Sequence, residues 1–216
     1  KIMHDHSFLF IQTSQSDMIK NNQFDTIYHE HISFFNINSM NELVKRTGLH
    51  LVDVIKTPVH GTSYLFILHK HPMNKHKVQN LIDVERELGL LSIKTYEDYR
   101  NRVLEIVDTF KLLVEDSGDF EDYKVVGYGA AAKGMTLLNF AQVDLDYIID
   151  DNPLKQGKVL PLYHTPIYHP DRLLDEFPDY ILILSWNFAE PIMKNLKWYS
   201  DRGGKFIVPL PEPLII

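Results

Sequence analysis

Alternation of apolar and polar residues near the start of the chain predicts short β-strands. The run SFLFIQT from Ser7 and the runs at residues 50–57 and 62–70 each have strand length and are rich in β-branched and aromatic residues. Pro58 and Gly61 lie between the last two runs, and this placement predicts an antiparallel, hairpin-like connection.

A short helix is predicted between the first two of these runs. Asn38 or Ser39 is the expected N-cap, and Gly48 is the expected stop signal. Three apolar residues recur there at helical spacing: Met40, Leu43 and Val44.

The period of the apolar residues changes between residues 81 and 118. They now recur at steps of three and four, with charged residues on the opposite face, which predicts one long amphipathic helix or two consecutive ones. We interpret this region as a helical linker between residues 1–80 and 119–216. Its apolar stripe comprises Leu81, Val84, Leu88, Leu91, Tyr99, Val103, Ile106, Val107, Phe110 and Leu113.

Strand-like and helix-like runs alternate from about residue 119 onward. This order predicts a parallel sheet flanked by helices, as in doubly wound nucleotide-binding folds. The strand-like runs are KVVGYG, LDYIIDD, DYILILSW and KFIVPL, and helices are expected through residues 136–140, near 172–176 and through 191–198. No internal repeat occurs. The alternation of strands and helices predicts an α/β fold with a Rossmann-like domain at the C-terminal end.

Composition limits the classes of function. Of 216 residues 44% are hydrophobic, which suffices for a sizeable core. No cysteine is present, so neither a disulfide nor a cysteine-ligated zinc site can form within this sequence. The net charge of -7 and the lack of a dense basic run argue against nucleic acid as a partner. Apolar runs of strand length argue against a membrane span, and we expect a cytoplasmic protein.

The stretch KVVGYGAAAKG at residues 124–134 has the features of a phosphate-binding turn between a strand and a helix. Gly127 and Gly129 permit a tight reversal, the helix N-terminus favours an anion, and Lys133 could add a full charge. Asp150 follows the next strand, where dinucleotide folds hold a ribose hydroxyl. The spacing matches neither the dinucleotide nor the Walker pattern, so glycines that merely turn the chain remain an equal alternative.

Four consecutive residues, Tyr28 to His31, can hold or move protons. On a strand, Tyr28 and Glu30 would point to one face and His29 and His31 to the other. A metal site would need ligands from elsewhere, because the position that a zincin motif requires is occupied by Ser33. Acid–base chemistry fits these residues better, and a set of satisfied polar side chains at a strand end remains open.

Six stretches in fixed order are characteristic of one enzyme family: FDTIYHEHISFF, PVHGTSYLFI, VVGYGAAAKGMTLLNF, DYIIDDNPLKQGKVLP, PDYILILSWNFAEPI and GGKFIVPLPEP. Over nearly its whole length the chain resembles the S-adenosylmethionine-dependent sugar-nucleotide C-methyltransferases. That family includes enzymes that methylate C-3 of 4-keto deoxysugars attached to a nucleoside diphosphate.

The resemblance also implies an architecture. The family has an N-terminal cysteine-ligated zinc module, a central methyltransferase domain and a C-terminal Rossmann-like domain. This sequence resembles only the last part of a class I methyltransferase sheet and the whole C-terminal domain. The zinc module and the acidic glycine turn for S-adenosylmethionine have no counterpart, and the chain starts abruptly at Lys1. We therefore expect a trimmed or partial chain that is inactive alone, with zinc and most methyl-donor contacts elsewhere.

Residue roles carry over from the resemblance only locally. His31 matches the family's proposed general base, Tyr28 and Glu30 match its companions, and His29 has no assigned role. A nucleoside-diphosphate sugar is the implied partner, with Gly127, Gly129, Lys133 and Asp150 as candidate contacts. Two alternatives remain: part of an NAD(P)-dependent oxidoreductase, or a non-catalytic module that binds nucleotide sugars.

Overall fold

The computed structural model describes residues 3–14, 17–58, 62–115 and 123–216. Contacts divide the chain into two compact units. Unit 1 consists of Lys1–Asn21 and His29–Asn101, and unit 2 of Asn22–Tyr28 and Arg102–Ile216. The domain limits predicted from the sequence stay predictions.

Unit 1 is built on a three-stranded sheet. β1 (Phe8–Ser14) and β2 (His50–Thr57) both pair antiparallel with the central β3 (Ser63–His69), and therefore run parallel to each other. The predicted antiparallel connection between β2 and β3 is confirmed, although Gly61 within it lies outside the described residues.

The helices of unit 1 are α1 (Asp17–Lys20), α2 (Ile37–Lys45) and α3 (Lys75–Glu87). The N-cap predicted for α2 is wrong by two or three positions. Asn36 is the cap: its side chain accepts from the Ser39 amide at 2.7 Å, and the Ser39 hydroxyl accepts from the Asn36 amide at 3.1 Å. The apolar pattern was misleading because its first residue is Met40, whereas Ile37 is already buried in the helix.

The core of unit 1 lies between its sheet and helices α2 and α3. Helix α3 also supplies Glu85, whose carboxylate accepts the amides of Ile37 at 2.7 Å and Asn38 at 3.0 Å. The buried carboxyl group of Glu85 thereby satisfies two amide donors at the N-terminus of α2 that have no partner within the helix. The buried apolar residues are Ile37, Met40, Val44, Leu51, Tyr64, Phe66, Leu68, Val78 and Ile82.

The region predicted as helical contains two consecutive helices, α3 and the longer α4 (Ile93–Glu115), and residues 116–118 lie outside the described part. The predicted apolar stripe is wrong at the end of α3, where Val84 and the C-cap residue Leu88 are 50% and 51% exposed, whereas Leu81 packs against the core. The buried face of α3 is a neighbouring one. It carries Glu85, whose carboxyl group contacts the N-terminus of α2. For α4 the stripe is confirmed over its buried members, Tyr99, Val103, Ile106, Val107 and Phe110.

Unit 2 contains a six-stranded sheet of order β6-β5-β4-β7-β8-β9. All neighbours are parallel except β8 and β9. The predicted parallel α/β fold is confirmed, with β6 and β9 as strands that the sequence did not indicate. The strands are β4 (Val125–Tyr128), β5 (Ile148–Ile149), β6 (Ile167–Tyr168), β7 (Tyr180–Ile183), β8 (Lys205–Val208) and β9 (Leu214–Ile215).

The direction of the strand order reverses between β4 and β7, which are neighbours in the sheet although two strands separate them in the chain. In open α/β sheets this switch point opens a crevice at the carboxyl ends of the strands, where ligands bind. Helix α5 follows β4 at this edge. The helices of unit 2 besides part of α4 are α5 (Ala132–Ala141), α6 (Arg172–Asp175), α7 (Ala189–Asn195) and α8 (Lys197–Ser200).

Candidate functional site

The four residues from Tyr28 to His31 do not lie on a strand, so the predicted alternation of their side chains is wrong. The chain forms a bend at Tyr28 and a turn at His29 and Glu30. It enters this turn from a single-turn 3-10 helix, Phe24–Thr26, whose last hydrogen bond runs from the Ile27 amide to the Phe24 carbonyl at 3.0 Å. The extended pattern fails here because local hydrogen bonds to the preceding turn replace strand pairing.

Accessibility differs among these four residues. His29 and Glu30 are exposed, whereas Tyr28 and His31 are half-buried. The His31 ring packs edge-on to Phe34, with centroids 6.0 Å apart. Within the described residues no group of three His, Asp or Glu side chains could hold a metal ion. The chemistry available at this turn is therefore that of an imidazole, a phenol and a carboxylate close together in sequence.

The glycine turn joins β4 to α5, as the sequence predicted, and the strand order places it at the switch point. Gly129 has φ +91° and directly follows β4. Gly127 is within β4, where a Cβ atom would lie 2.7 Å from Cγ1 of Ile148. Gly134 is in α5, where a Cβ atom would lie 2.6 Å from Cβ of Leu184. Gly127 is thus required for packing within the sheet, Gly129 for the chain reversal, and Gly134 for close contact between α5 and the end of β7.

Asp150 lies next to this turn, at the end of β5, where the sequence placed an acid for a ribose. Its buried carboxylate already accepts three hydrogen bonds, from the amides of Ala130 and Asn152, both at 2.8 Å, and from Lys155 at 3.0 Å. Lys155 also donates to the Ala130 carbonyl at 2.8 Å. Asp150 and Lys155 together hold the glycine turn in place, and a ribose hydroxyl would have to compete with these contacts.

Lys133 lies in the first turn of α5, but its side chain is buried. Its Nζ is 4.9 Å from the centroid of the Trp186 ring, a cation–π geometry. Burial lowers the pKa of Lys133, and the negative charge of Asp25 acts in the opposite direction. The lysine is thus part of an internal cluster with Asp25 and Trp186.

Asp25 and Trp186 were not among the residues that the sequence singled out. Trp186 follows β7 on the far side of the switch point, and its indole N–H donates to Asp25 Oδ2 at 2.6 Å. The two residues are 161 positions apart. The available signal was the tryptophan at the end of a predicted strand, but no local pattern could pair it with an aspartate near the start of the chain.

Among the described helices none is both long and apolar enough to cross a membrane. Localisation in the cytoplasm stays a prediction.

Comparison with known proteins identifies the family. The family described as "C-methyltransferase C-terminal domain" matches residues 58–211. The C-methyltransferase NovU of Streptomyces niveus is 38% identical over 208 residues, which cover 93% of this chain and 49% of that protein. The chain thus spans about half the length of the curated relative it matches. On these matches the chain belongs to the C-methyltransferase family, and the predicted resemblance is confirmed.

Proposed function

We propose that this chain is part of an enzyme that transfers a methyl group from S-adenosylmethionine to a carbon of a nucleotide-linked keto deoxysugar. The observation that carries the proposal is the match to a C-methyltransferase over 93% of the chain. The 7% outside the match is too short for the match to begin after Tyr28. The residues from Tyr28 to His31 are therefore within the matched region.

The proposed chemistry needs a base and an oxyanion partner. A 4-keto group acidifies the hydrogen on the neighbouring carbon, and His31 is proposed to accept that proton as the C–H bond breaks. Tyr28 is proposed to donate a hydrogen bond to the developing enolate oxygen, and Glu30 to orient the imidazole. Half-burial of Tyr28 and His31 supports these roles, because a partly desolvated group interacts more strongly with a developing charge.

S-adenosylmethionine would supply an electrophilic methyl group on a sulfonium: as the nucleophilic carbon bonds to this methyl, the methyl–sulfur bond breaks and the neutral thioether leaves. The residues of unit 1 do not fit this molecule by themselves. The sequence contains no glycine before Gly48, and Gly48 ends α2 in open space rather than following a strand. We therefore propose that most methyl-donor contacts come from the half of a NovU-like protein that this chain does not match.

The glycine turn is proposed to hold the nucleotide part of the substrate. Its position at the switch point supports this, because backbone amides there can approach an anion closely. Gly127, Lys133 and Asp150 are engaged in contacts within the chain, so their predicted role in binding stays a prediction. Gly129 has the backbone conformation and the location that direct contact with a phosphate would need.

The same turn was compatible with an NAD(P)-dependent oxidoreductase, and the occupied carboxylate of Asp150 speaks against that alternative. A thermal-shift comparison of the full-length enzyme with NAD, NADP and S-adenosylmethionine separates the two functions. We expect stabilisation by S-adenosylmethionine alone, since a ligand that binds the native state raises the melting temperature. Stabilisation by a nicotinamide dinucleotide would favour the oxidoreductase.

The direct test is methyl transfer. The full-length enzyme is incubated with methyl-labelled S-adenosylmethionine and a nucleoside-diphosphate 4-keto deoxysugar, and the product is examined for a new carbon–methyl bond. We expect label on the carbon next to the ketone, and no turnover by the 216-residue chain alone. Label on oxygen, or sustained turnover by the isolated chain, would contradict the proposal.

A further inference from the structure

Asn22–Tyr28 belongs to unit 2, although these residues precede the rest of the unit by more than 70 positions in the chain. Four consecutive residues of this segment are buried: Gln23, Phe24, Asp25 and Thr26. The 3-10 helix within this segment, Phe24–Thr26, contacts α5, the helix that follows the glycine turn. The segment therefore packs beside the switch point.

Asp25 is the most deeply buried polar residue of the segment, with 0% of its surface exposed. A carboxylate in this position loses the hydration of its charge and needs compensating partners. One such partner is Trp186, whose indole N–H donates a hydrogen bond of 2.6 Å to Oδ2 of Asp25. Within the described part of the chain, Oδ1 has no hydrogen-bond partner of normal geometry.

Lys133 provides the balancing charge. The Coulomb attraction between Lys133 and Asp25 lowers the pKa of Asp25, as does the Trp186 N–H, but burial is the larger effect and the net shift is upward. The lysine also lies over the Trp186 ring. Trp186 therefore contacts both members of the charge pair, the aspartate with its edge and the lysine with its face.

Two further contacts flank this cluster. The ring of Phe24 lies 5.5 Å from that of Phe140 on α5, and Arg102 donates from Nε to Asn22 Oδ1 at 3.2 Å. The segment ends at Tyr28, whose amide donates to the Thr26 carbonyl at 3.1 Å. Two residues, Thr26 and Ile27, thus connect the buried aspartate to Tyr28, and local hydrogen bonds hold this stretch of chain.

From this geometry we propose that Asp25, Lys133 and Trp186 are positioning residues that hold Tyr28 at the switch-point edge of unit 2. The cluster fixes the backbone from which Tyr28 projects, at the edge where the strand order reverses. The inference rests on the proposed function, since it assigns these residues to the placement of a group that contacts the reacting sugar. None of the three touches the reacting atoms in this proposal.

The first test measures the position of Tyr28 without any reaction. The full-length protein is labelled with fluorotyrosine, and the fluorine NMR signal absent from Tyr28→Phe is assigned to Tyr28. Trp186→Phe removes the N–H donor but keeps a ring for Lys133, and we expect it to shift or broaden this signal. Trp198→Phe is the matched control, because Trp198 packs in unit 2 against Phe177 and its ring contacts Arg202 rather than Lys133.

The second test is kinetic. We expect Trp186→Phe and Asp25→Asn to lower kcat by about 10- to 100-fold while KM for the nucleotide sugar changes by less than about threefold, since small misplacements of a catalytic group act on the transition state. In a Tyr28→Phe background, adding Trp186→Phe should lower kcat by no more than about a further twofold, because the phenol that Trp186 positions is already absent. If Trp186→Phe instead impaired folding in general, its fold-loss in kcat would multiply with the fold-loss caused by Tyr28→Phe.

The two tests have separate outcomes. An unchanged Tyr28 signal in Trp186→Phe overturns the positioning role, whatever the enzyme's activity. Wild-type kcat in both variants, or losses that multiply fully with Tyr28→Phe, overturns it as well. Failure of the wild-type enzyme to methylate a nucleotide sugar counts against the proposed function alone, and the fluorine signal then decides whether the cluster holds Tyr28.

Discussion

Replacing Gly134 with Ala tests the close contact between α5 and the end of β7 at the switch point. The added Cβ would lie 2.6 Å from Cβ of Leu184 and 3.3 Å from two further atoms of its side chain. Van der Waals contact needs nearly 4 Å, so helix and strand must separate by about 1 Å. Overpacking of this kind costs about 1–3 kcal/mol, and the helix propensity of Ala returns about 1 kcal/mol. The expected net result is a loss of up to about 2 kcal/mol in the free energy of unfolding.

Urea unfolding followed by tryptophan fluorescence measures this loss, because both tryptophans, Trp186 and Trp198, belong to unit 2. Asn139→Ala, at an exposed position of the same helix, is the control and should be neutral or slightly stabilising. Leu184→Ala should not relieve Gly134→Ala, since the nearest atom is the Cβ that alanine retains. Equal effects of Gly134→Ala and Asn139→Ala would refute the packing role of this glycine.

Two further predictions concern the core of unit 1. Burial raises the pKa of Glu85, so its contribution to stability should fall as pH rises from the ordinary value of 4.5 through the folded-state pKa. Glu85→Gln should remove this slope in melting temperature against pH, and an unchanged slope would contradict the assignment. Phe66→Ala, at a fully buried ring, should cost about 3–5 kcal/mol in urea unfolding. Phe10→Ala on the same sheet, where the ring is 58% exposed, should cost under about 1 kcal/mol, and equal costs would refute the described core.

Sequence patterns predicted the elements whose signals are local. β2 occupies the predicted residues 50–57, and the alternation of strands and helices after residue 119 led to the parallel sheet. These predictions succeed because strand and helix periods appear directly in the order of apolar residues. Strands β5 and β6 have two residues each, and β6 was missed because so short a strand carries no period.

The candidate site residues could be named from the sequence, and their roles stay predictions, but their geometry could not be predicted. Tyr28 to His31 could be singled out because four proton-bearing groups are adjacent, whereas the turn they form depends on the buried 3-10 helix before them. The link from Asp25 to Trp186 spans 161 positions, and only the folded chain brings the two together. Asp150 was located correctly beside the glycine turn, but its bonds to Ala130 and Lys155 come from loop geometry that no motif encodes.

The role of His31 is tested most directly by hydrogen exchange at the sugar carbon. The full-length enzyme is mixed with the keto-sugar nucleotide in D2O without methyl donor, and deuterium next to the ketone is measured by NMR. We predict exchange with the wild type and a loss on the order of a hundredfold or more in His31→Ala, as removal of a general base causes. His76→Ala, at an exposed histidine of α3, should exchange like the wild type. Undiminished exchange in His31→Ala would contradict the assignment of His31 as the base.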